Sequence, residues 1–180
     1  QVYEWLWRKG AHDFLGMTNL SKSHRSLLEE YFVIHHIAVD QLQRSDDGTI
    51  KNAIRLHDGY LVESVLIPTD TRSTACVSSQ VGCSLDCHFC ATAKLKRMRN
   101  LNPDELYDQV VEIDKQSQLY FNRPLTNIVF MGMGEPLMNY KNTLAAIDKI
   151  TEGSVLTYKD LANKIGHPNS ARAVANACGK

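Results

Sequence analysis

The sequence has no apolar run approaching the roughly 20 residues that cross a bilayer, and no basic-then-apolar leader, so a membrane-embedded or freshly secreted protein is not expected. It has no formal net charge, with 20 Lys+Arg against 20 Asp+Glu. That balance excludes coating of nucleic acid by bulk electrostatics and leaves room only for local binding. No internal repeat or low-complexity segment is present. Aromatic residues make up only 8%, beside 43% hydrophobic and 22% charged, the profile of a soluble globular chain rather than a disordered or fibrous one. The length of 180 residues suits one domain, or one and a fragment. The chain opens on Gln1 rather than Met, as a sequence lacking its true beginning does.

What is present is an odd set of 5 cysteines, three of which (Cys83, Cys87, Cys90) crowd into one short stretch. This suits a metal site in a reducing compartment better than a disulfide framework, and the cytoplasm is the expected location. Charge is also unevenly spread. From Gly153 onward Lys159, Lys164, Arg172 and Lys180 face only Asp160, a balance of +3, which leaves −3 on the rest.

The pattern of residues predicts mostly helix over 3–39, with apolar stripes at Val2, Trp5, Leu6 and at Leu27, Leu28, Tyr31, Phe32 running on to Ile34. From Gly48 the period turns towards two. Asp58-Gly59 between the runs Ile50–Leu56 and Leu61–Ile67 predicts a β-hairpin. Extended chain is expected at Ala75–Ser79, and a helix from Pro103 to Leu119 capped by Asn102, with Asp104 and Glu105 at its positive end. A buried strand at Thr126–Met131, a turn at Gly132–Pro136 and a helix at Tyr140–Ile150 follow. Strand-helix alternation of this kind predicts parallel β/α units, too few for a closed barrel.

Cys83, Cys87 and Cys90 are spaced four and three apart in a loop after a strand. Three thiolates can hold three irons of a 4Fe-4S cube and leave the fourth iron open to a small molecule. A closed zinc site is the competing reading, with His88 or Cys76 as fourth ligand. The context adds Glu63-Ser-Val-Leu-Ile-Pro68, Arg72 to Cys83, Arg99-Asn-Leu and Met131-Gly-Met-Gly-Glu-Pro-Leu137, all in one order. Together they resemble the radical S-adenosylmethionine (SAM) dual-specificity rRNA and tRNA adenine C2 methyltransferases, over residues from Gln1 to about Thr151.

The resemblance implies an α/β fold: a partial (β/α) radical-SAM barrel preceded by a small helical accessory domain and a β-hairpin. The expected units are a helical RNA-binding-type domain over 1–47, the hairpin and half-barrel with its cluster loop over 48–151, and a tail over 152–180. It implies a 4Fe-4S cluster on Cys83, Cys87 and Cys90, and SAM bound at Gly134 and Glu135. Glu63 matches the family's proton acceptor, and burial would raise its pKa towards that of a base. Cys76 matches a second reactive cysteine that helps release product. Lys94, Lys96, Arg97 and Arg99 put four cations beside the cluster for phosphates of a folded rRNA or tRNA. His35 and His36 read as surface or core-packing residues. The family's methyl-carrying cysteine is expected far downstream; the surroundings of Cys178 do not match it.

Near Glu152 the character changes. Gly153-Ser-Val-Leu-Thr-Tyr158 through Arg172-Ala-Val-Ala-Asn-Ala resembles the helix-turn-helix of alkylguanine-DNA alkyltransferases and their alkyltransferase-like relatives. The capping-box-like Thr157–Asp160, the helix stop at Gly166 and a cap at Ser170 fit that motif. The resemblance implies that Tyr158 turns a phosphate and Arg172 fills the gap left by a flipped base, making DNA a partner of the tail. The alkyltransferase's Pro-Cys-His-Arg acceptor motif is not found before Lys180.

Overall fold

The structure is a computed structural model describing residues 1–85 and 87–150. Tyr158, Arg172, Cys178 and the whole expected tail unit 152–180 lie outside the described residues.

Two short helices open the chain, α1 (Val2–Trp7) and α2 (Lys22–Tyr31). The Ser21 hydroxyl accepts the His24 amide at 3.2 Å and caps α2. The apolar stripe expected to run to Ile34 is cut at Tyr31, because Phe32 turns to extended backbone. Leu27, Tyr31 and Phe32 remain exposed, and burial falls instead on Phe14 and Met17. Trp7 sets its ring edge against Tyr107, 5.1 Å between centroids. The Tyr107 hydroxyl donates to the Trp7 carbonyl, docking this helical part on the body.

The strands are β1 (Ala38–Arg44), β2 (Ile50–Arg55), β3 (Leu61–Pro68), β4 (Ser73–Cys76), β5 (Gln80–Val81), β6 (Arg99–Asn100) and β7 (Asn127–Val129). They form a five-stranded sheet in the order β1-β2-β3-β4-β7 and a separate β5-β6 ladder. Residues 38–44 correct the expected end of the helical part: they pair antiparallel with β2 and belong to the sheet. The predicted hairpin is β2–β3, with Gly59 at φ +85° as its turn chemistry demands.

Helix α3 (Pro103–Phe121) links β4 to β7, the one parallel strand pair among the described residues. The Glu105 carboxylate accepts the Asn102 amide at 2.8 Å, and left-handed Asn122 ends the helix. Val110 and Ile113 pack on Ile50, Leu66, Ala75 and Val77. One turn earlier Leu106 joins Ile54, Leu56, Val62, Leu101 and Met133 in a second cluster, which Ala146 of α4 (Tyr140–Ile147) completes. Buried amides on α3 are satisfied. Gln116 and Asn52 exchange bonds of 2.9 and 3.0 Å, while Gln109 accepts the Ser78 amide at 2.9 Å and donates to its carbonyl at 3.2 Å. The result is an α/β half-barrel: an antiparallel meander feeding one β/α/β unit, with helices α1 and α2 on its flank.

A cavity of about 460 Å³ lies between the helical part and α3, lined by Trp7, Phe14, Leu28, Phe32, Tyr107 and Asp108 among others. No described residue of the cysteine loop lines it. His35 stacks on His57 at 4.2 Å and His36 on His12 at 4.9 Å, so both histidines pack as expected. Among the described residues, no helix is long and apolar enough to cross a membrane.

Candidate functional site

The cysteine loop leaves the body at β5 and returns at β6. Gln80 pairs with Asn100 and Val81 with Arg99, so the two ends of the loop are neighbours. Gly82 has φ +72°, and a Cβ there would lie 2.2 Å from the Lys96 carbonyl oxygen; only glycine lets the two sides close. Cys83 then bridges to Lys96.

Cys83, Cys87 and Cys90 are free, partly buried thiols. The Leu85 amide donates to the Cys83 sulfur at 3.4 Å. The Ala93 amide donates to the Cys90 carbonyl at 3.2 Å, and the nearby Ala93 and Thr92 amides and Thr92 hydroxyl lower the pKa of the Cys90 thiol below that of an ordinary thiol. Among the described residues no three His, Cys, Asp or Glu side chains converge closely enough to hold a metal, and neither His88 nor Cys76 is gathered in as a fourth zinc ligand. The chemistry of the donor set fits an iron-sulfur cluster: three soft thiols in one loop, Cys83 receiving an N–H bond and Cys90 a lowered pKa, both of which favour the thiolate.

The turn expected to bind SAM packs along the entry to this loop. The Gly132 amide donates to the Val77 carbonyl at 3.1 Å, and the Met133 carbonyl accepts the Ser79 amide at 2.8 Å. A Cβ on Gly132 would meet the Ser78 hydroxyl at 2.7 Å; one on Gly134, at φ +90°, would meet the Gln80 Cβ at 2.5 Å. The glycines therefore serve first to lay this segment against the chain's own strand. The Glu135 carboxylate accepts the Leu137 amide at 3.0 Å and is partly exposed. Ser84 in the loop touches the Met138 sulfur at 3.5 Å, placing the thiol loop beside the turn.

Glu63 and Cys76 share a face of the sheet. Ala75 points towards α3, so by alternation Cys76 points the other way, and its register partner Val65 lies two residues from Glu63 on the same face. Burial pushes the Cys76 thiol up, keeping it protonated at neutral pH. The expected burial of Glu63 is not found: its side chain is 50% exposed, and Oε1 is 2.7 Å from Lys51 Nζ.

The four cations separate. Lys94, Lys96 and Arg97 are exposed on the loop. Arg99 is corrected: Nη1 and Nη2 each lie 2.7 Å from a Glu105 oxygen and Nε lies 2.6 Å from Asp58. Its guanidinium is spent on this bidentate ion pair, which raises its pKa further and leaves no fork for phosphate. The sequence reading missed Ser78, Gln80 and Asn100. One signal was available: Ser78 and Gln80 are polar residues inside an unbroken buried run from Ala75 to Gly82, and buried polar groups require partners.

Residues 1–34 match the family described as ribosomal RNA large subunit methyltransferase N-terminal domain. A protein of Flavobacterium psychrophilum named "Probable dual-specificity RNA methyltransferase RlmN" is 73% identical over 156 residues, covering 87% of this chain and 45% of that relative. The "Dual-specificity RNA methyltransferase RlmN" of Geotalea uraniireducens is 45% identical over 152 residues. Over most of its length the chain is thus similar to the dual-specificity RNA methyltransferases named RlmN. The crystal structure of a radical SAM methyltransferase from Sphaerobacter thermophilus superposes on this chain with TM-score 0.73 at 38% identity, over 85% of this chain and 45% of that one. The chain thus spans about half the length of the curated relatives it matches. Residues 139–180 match a different family, described as 6-O-methylguanine DNA methyltransferase, DNA binding domain. That match begins before the RlmN resemblance ends, so α4 lies within both. The radical SAM family as a whole implies SAM and a 4Fe-4S cluster.

Proposed function

We propose that residues 48–151 form the cluster- and cofactor-binding half of a radical SAM methyltransferase acting at C2 of adenine in 23S rRNA and tRNA. Residues 1–47 would form a helical accessory unit towards RNA that lends β1 to the sheet. The observation that supports the reading is a single loop carrying three free thiols, one of them receiving an N–H bond, whose Ser84 touches Met138 at the end of the turn that begins with Gly134 and Glu135. Cys83, Cys87 and Cys90 would hold the cluster; Gly134 and Glu135 would hold SAM, the carboxylate suiting an ammonium group. When bound, the cluster supplies the electron for reductive cleavage of SAM. The rest is the chain's own work. Glu63 would accept a proton at its carboxylate once substrate displaces Lys51. Cys76 would stay neutral until a base approaches, and Lys94, Lys96 and Arg97 would steer phosphates.

The test is anaerobic reconstitution with iron and sulfide. A brown protein whose iron content collapses in Cys83→Ala is the expected result; full loading in that variant, or zinc alone in the native protein, overturns the reading.

A second reading concerns the tail, on the strength of its own family match. Tyr158 and Arg172 would contact duplex DNA at an alkylated guanine. Fluorescence anisotropy with modified and unmodified duplexes tests it, with Arg172→Ala expected to abolish the difference.

A further inference from the structure

Gln80 has no exposed surface. Its Oε1 accepts the Glu135 amide at 3.0 Å, and its Nε2 donates to Asn100 Oδ1 at 2.7 Å. Asn100 in turn donates through Nδ2 to the Met138 carbonyl at 3.2 Å. Both ends of this relay are backbone groups of fixed polarity, an N–H at one end and a C=O at the other, so the orientation of both amides is determined. Both ends also lie on one turn, Glu135 to Met138. Two side chains therefore bracket that turn, and they are register partners across the β5–β6 ladder that closes the base of the cysteine loop.

The contact is close as well as bonded. Gly134 presses its backbone onto the Gln80 stem, and the Met133 carbonyl accepts the Gln80 amide at 3.2 Å. Arg97, within the returning arm of the loop, adds a bond from Nη2 to Asn100 Oδ1 at 2.9 Å. The loop and the turn share no other hydrogen bond among the described residues except the Ser84–Met138 contact.

We infer that Gln80, with Asn100, is a positioning residue that couples the order of the cysteine loop to the pose of the Gly134–Glu135 segment. This rests on the proposed assignment of iron to the loop and SAM to the turn. A buried amide suits the task because its bonds are directional and its loss leaves an unpaired N–H at Glu135 and leaves the Asn100 oxygen with Arg97 as its donor. A metal that orders the loop stiffens β6, and through Asn100 and Gln80 it holds both ends of the turn.

Hydrogen exchange of the whole chain, with and without reconstituted iron and sulfide, tests the coupling. In the native protein iron is expected to slow exchange at residues 135–138 as well as in the loop. In Gln80→Met, of similar length but without the amide, iron content should be unchanged while protection at 135–138 no longer responds to iron. SAM affinity by equilibrium dialysis should fall at least tenfold. Asn100→Leu, on the partly exposed member of the pair, opens the bracket from its outer end and serves if the buried substitution prevents folding. Equal iron-dependent protection in native and variant proteins, or unchanged SAM affinity, overturns the coupling. Failure of the native protein to take up iron overturns the site assignment instead, and the two failures are read from different columns of the same experiment.

Discussion

Lys51 and Glu63 meet across β2 and β3, with Nζ 2.7 Å from Oε1 and both side chains about half exposed. Exposed pairs of this kind contribute little to stability. Lys51→Met should therefore change the urea-unfolding free energy by less than about 0.5 kcal/mol. If Glu63 accepts a proton, freeing it should not reduce function; an unfolded Lys51→Met protein would show that the pair holds the hairpin instead.

Arg99 and Glu105 behave differently, because the Glu105 side chain is only 4% exposed. Arg99→Ala leaves that carboxylate buried without its bidentate partner and should destabilise the fold by about 3 kcal/mol. Asp58, whose pKa the Arg99 hydrogen bond lowers, adds a pH signature. Its contribution is present above the ordinary carboxylate pKa and is lost as pH falls through the lowered one. Acid unfolding should show this loss in the native protein and not in Arg99→Ala.

Alkylation should rank the thiols. In metal-free protein at pH 7, iodoacetamide is expected to modify Cys90 first, because amide donors stabilise its thiolate, and to spare Cys76, which burial keeps protonated. Peptide mass mapping over time reads the order. Rapid labelling of Cys76 would mean that the sheet face it occupies is open.

Two glycines of nearly equal φ should respond unequally to alanine. Gly59 at φ +85° has open space around its missing Cβ, so Gly59→Ala carries only backbone strain of about 1 kcal/mol. Gly134 at φ +90° has Gln80 in the way, and Gly134→Ala should cost several times as much, on the order of 3 kcal/mol or more. Thermal unfolding of the two variants side by side makes the comparison.

Asp108 borders the cavity beside α3, where burial, reinforced by Asp104, raises its pKa to about 6 despite the Ile37 amide, His36 and Lys115. The native state then holds a proton that the unfolded chain has released between about pH 4 and pH 6, so stability falls as pH rises through that window. Asp108→Asn keeps an acceptor for the Ile37 amide and removes the charge. Its melting temperature should exceed that of the native protein at pH 7, by an amount on the order of 3 kcal/mol in free energy at most, and match it near pH 4.

Local chemistry made several elements legible in the sequence. Asp58-Gly59 announced the β2–β3 turn, and Asn102-Pro103 marked the start of α3, because each is fixed by the conformation of neighbouring residues. Strand β1 escaped because it is an edge strand: nearly all of Ala38–Arg44 is exposed, so no burial period marks it. Arg99 was misread for a different reason. Its buried partner Glu105 is only six residues away but reads in sequence as a helix-dipole residue, its second partner Asp58 lies 41 residues away, and a cluster of cations looks the same whether its members face solvent or a buried carboxylate. The cysteines could be named from their spacing; the bracket that supports them could not, since its bonds join residues 20, 38 and 55 positions apart.

The β5–β6 ladder separates folding from chemistry. Since Val81 and Arg99 are partners, the loop between them is a closed ring of chain whose ends are fixed by the body. Loop length enters the closure entropy only logarithmically, so lengthening such a ring changes the free energy of the fold by fractions of a kcal/mol. If the proposed cluster were lost from its tip, the scaffold would be left standing and the same ring ready to be refilled, which would make the site repairable rather than disposable.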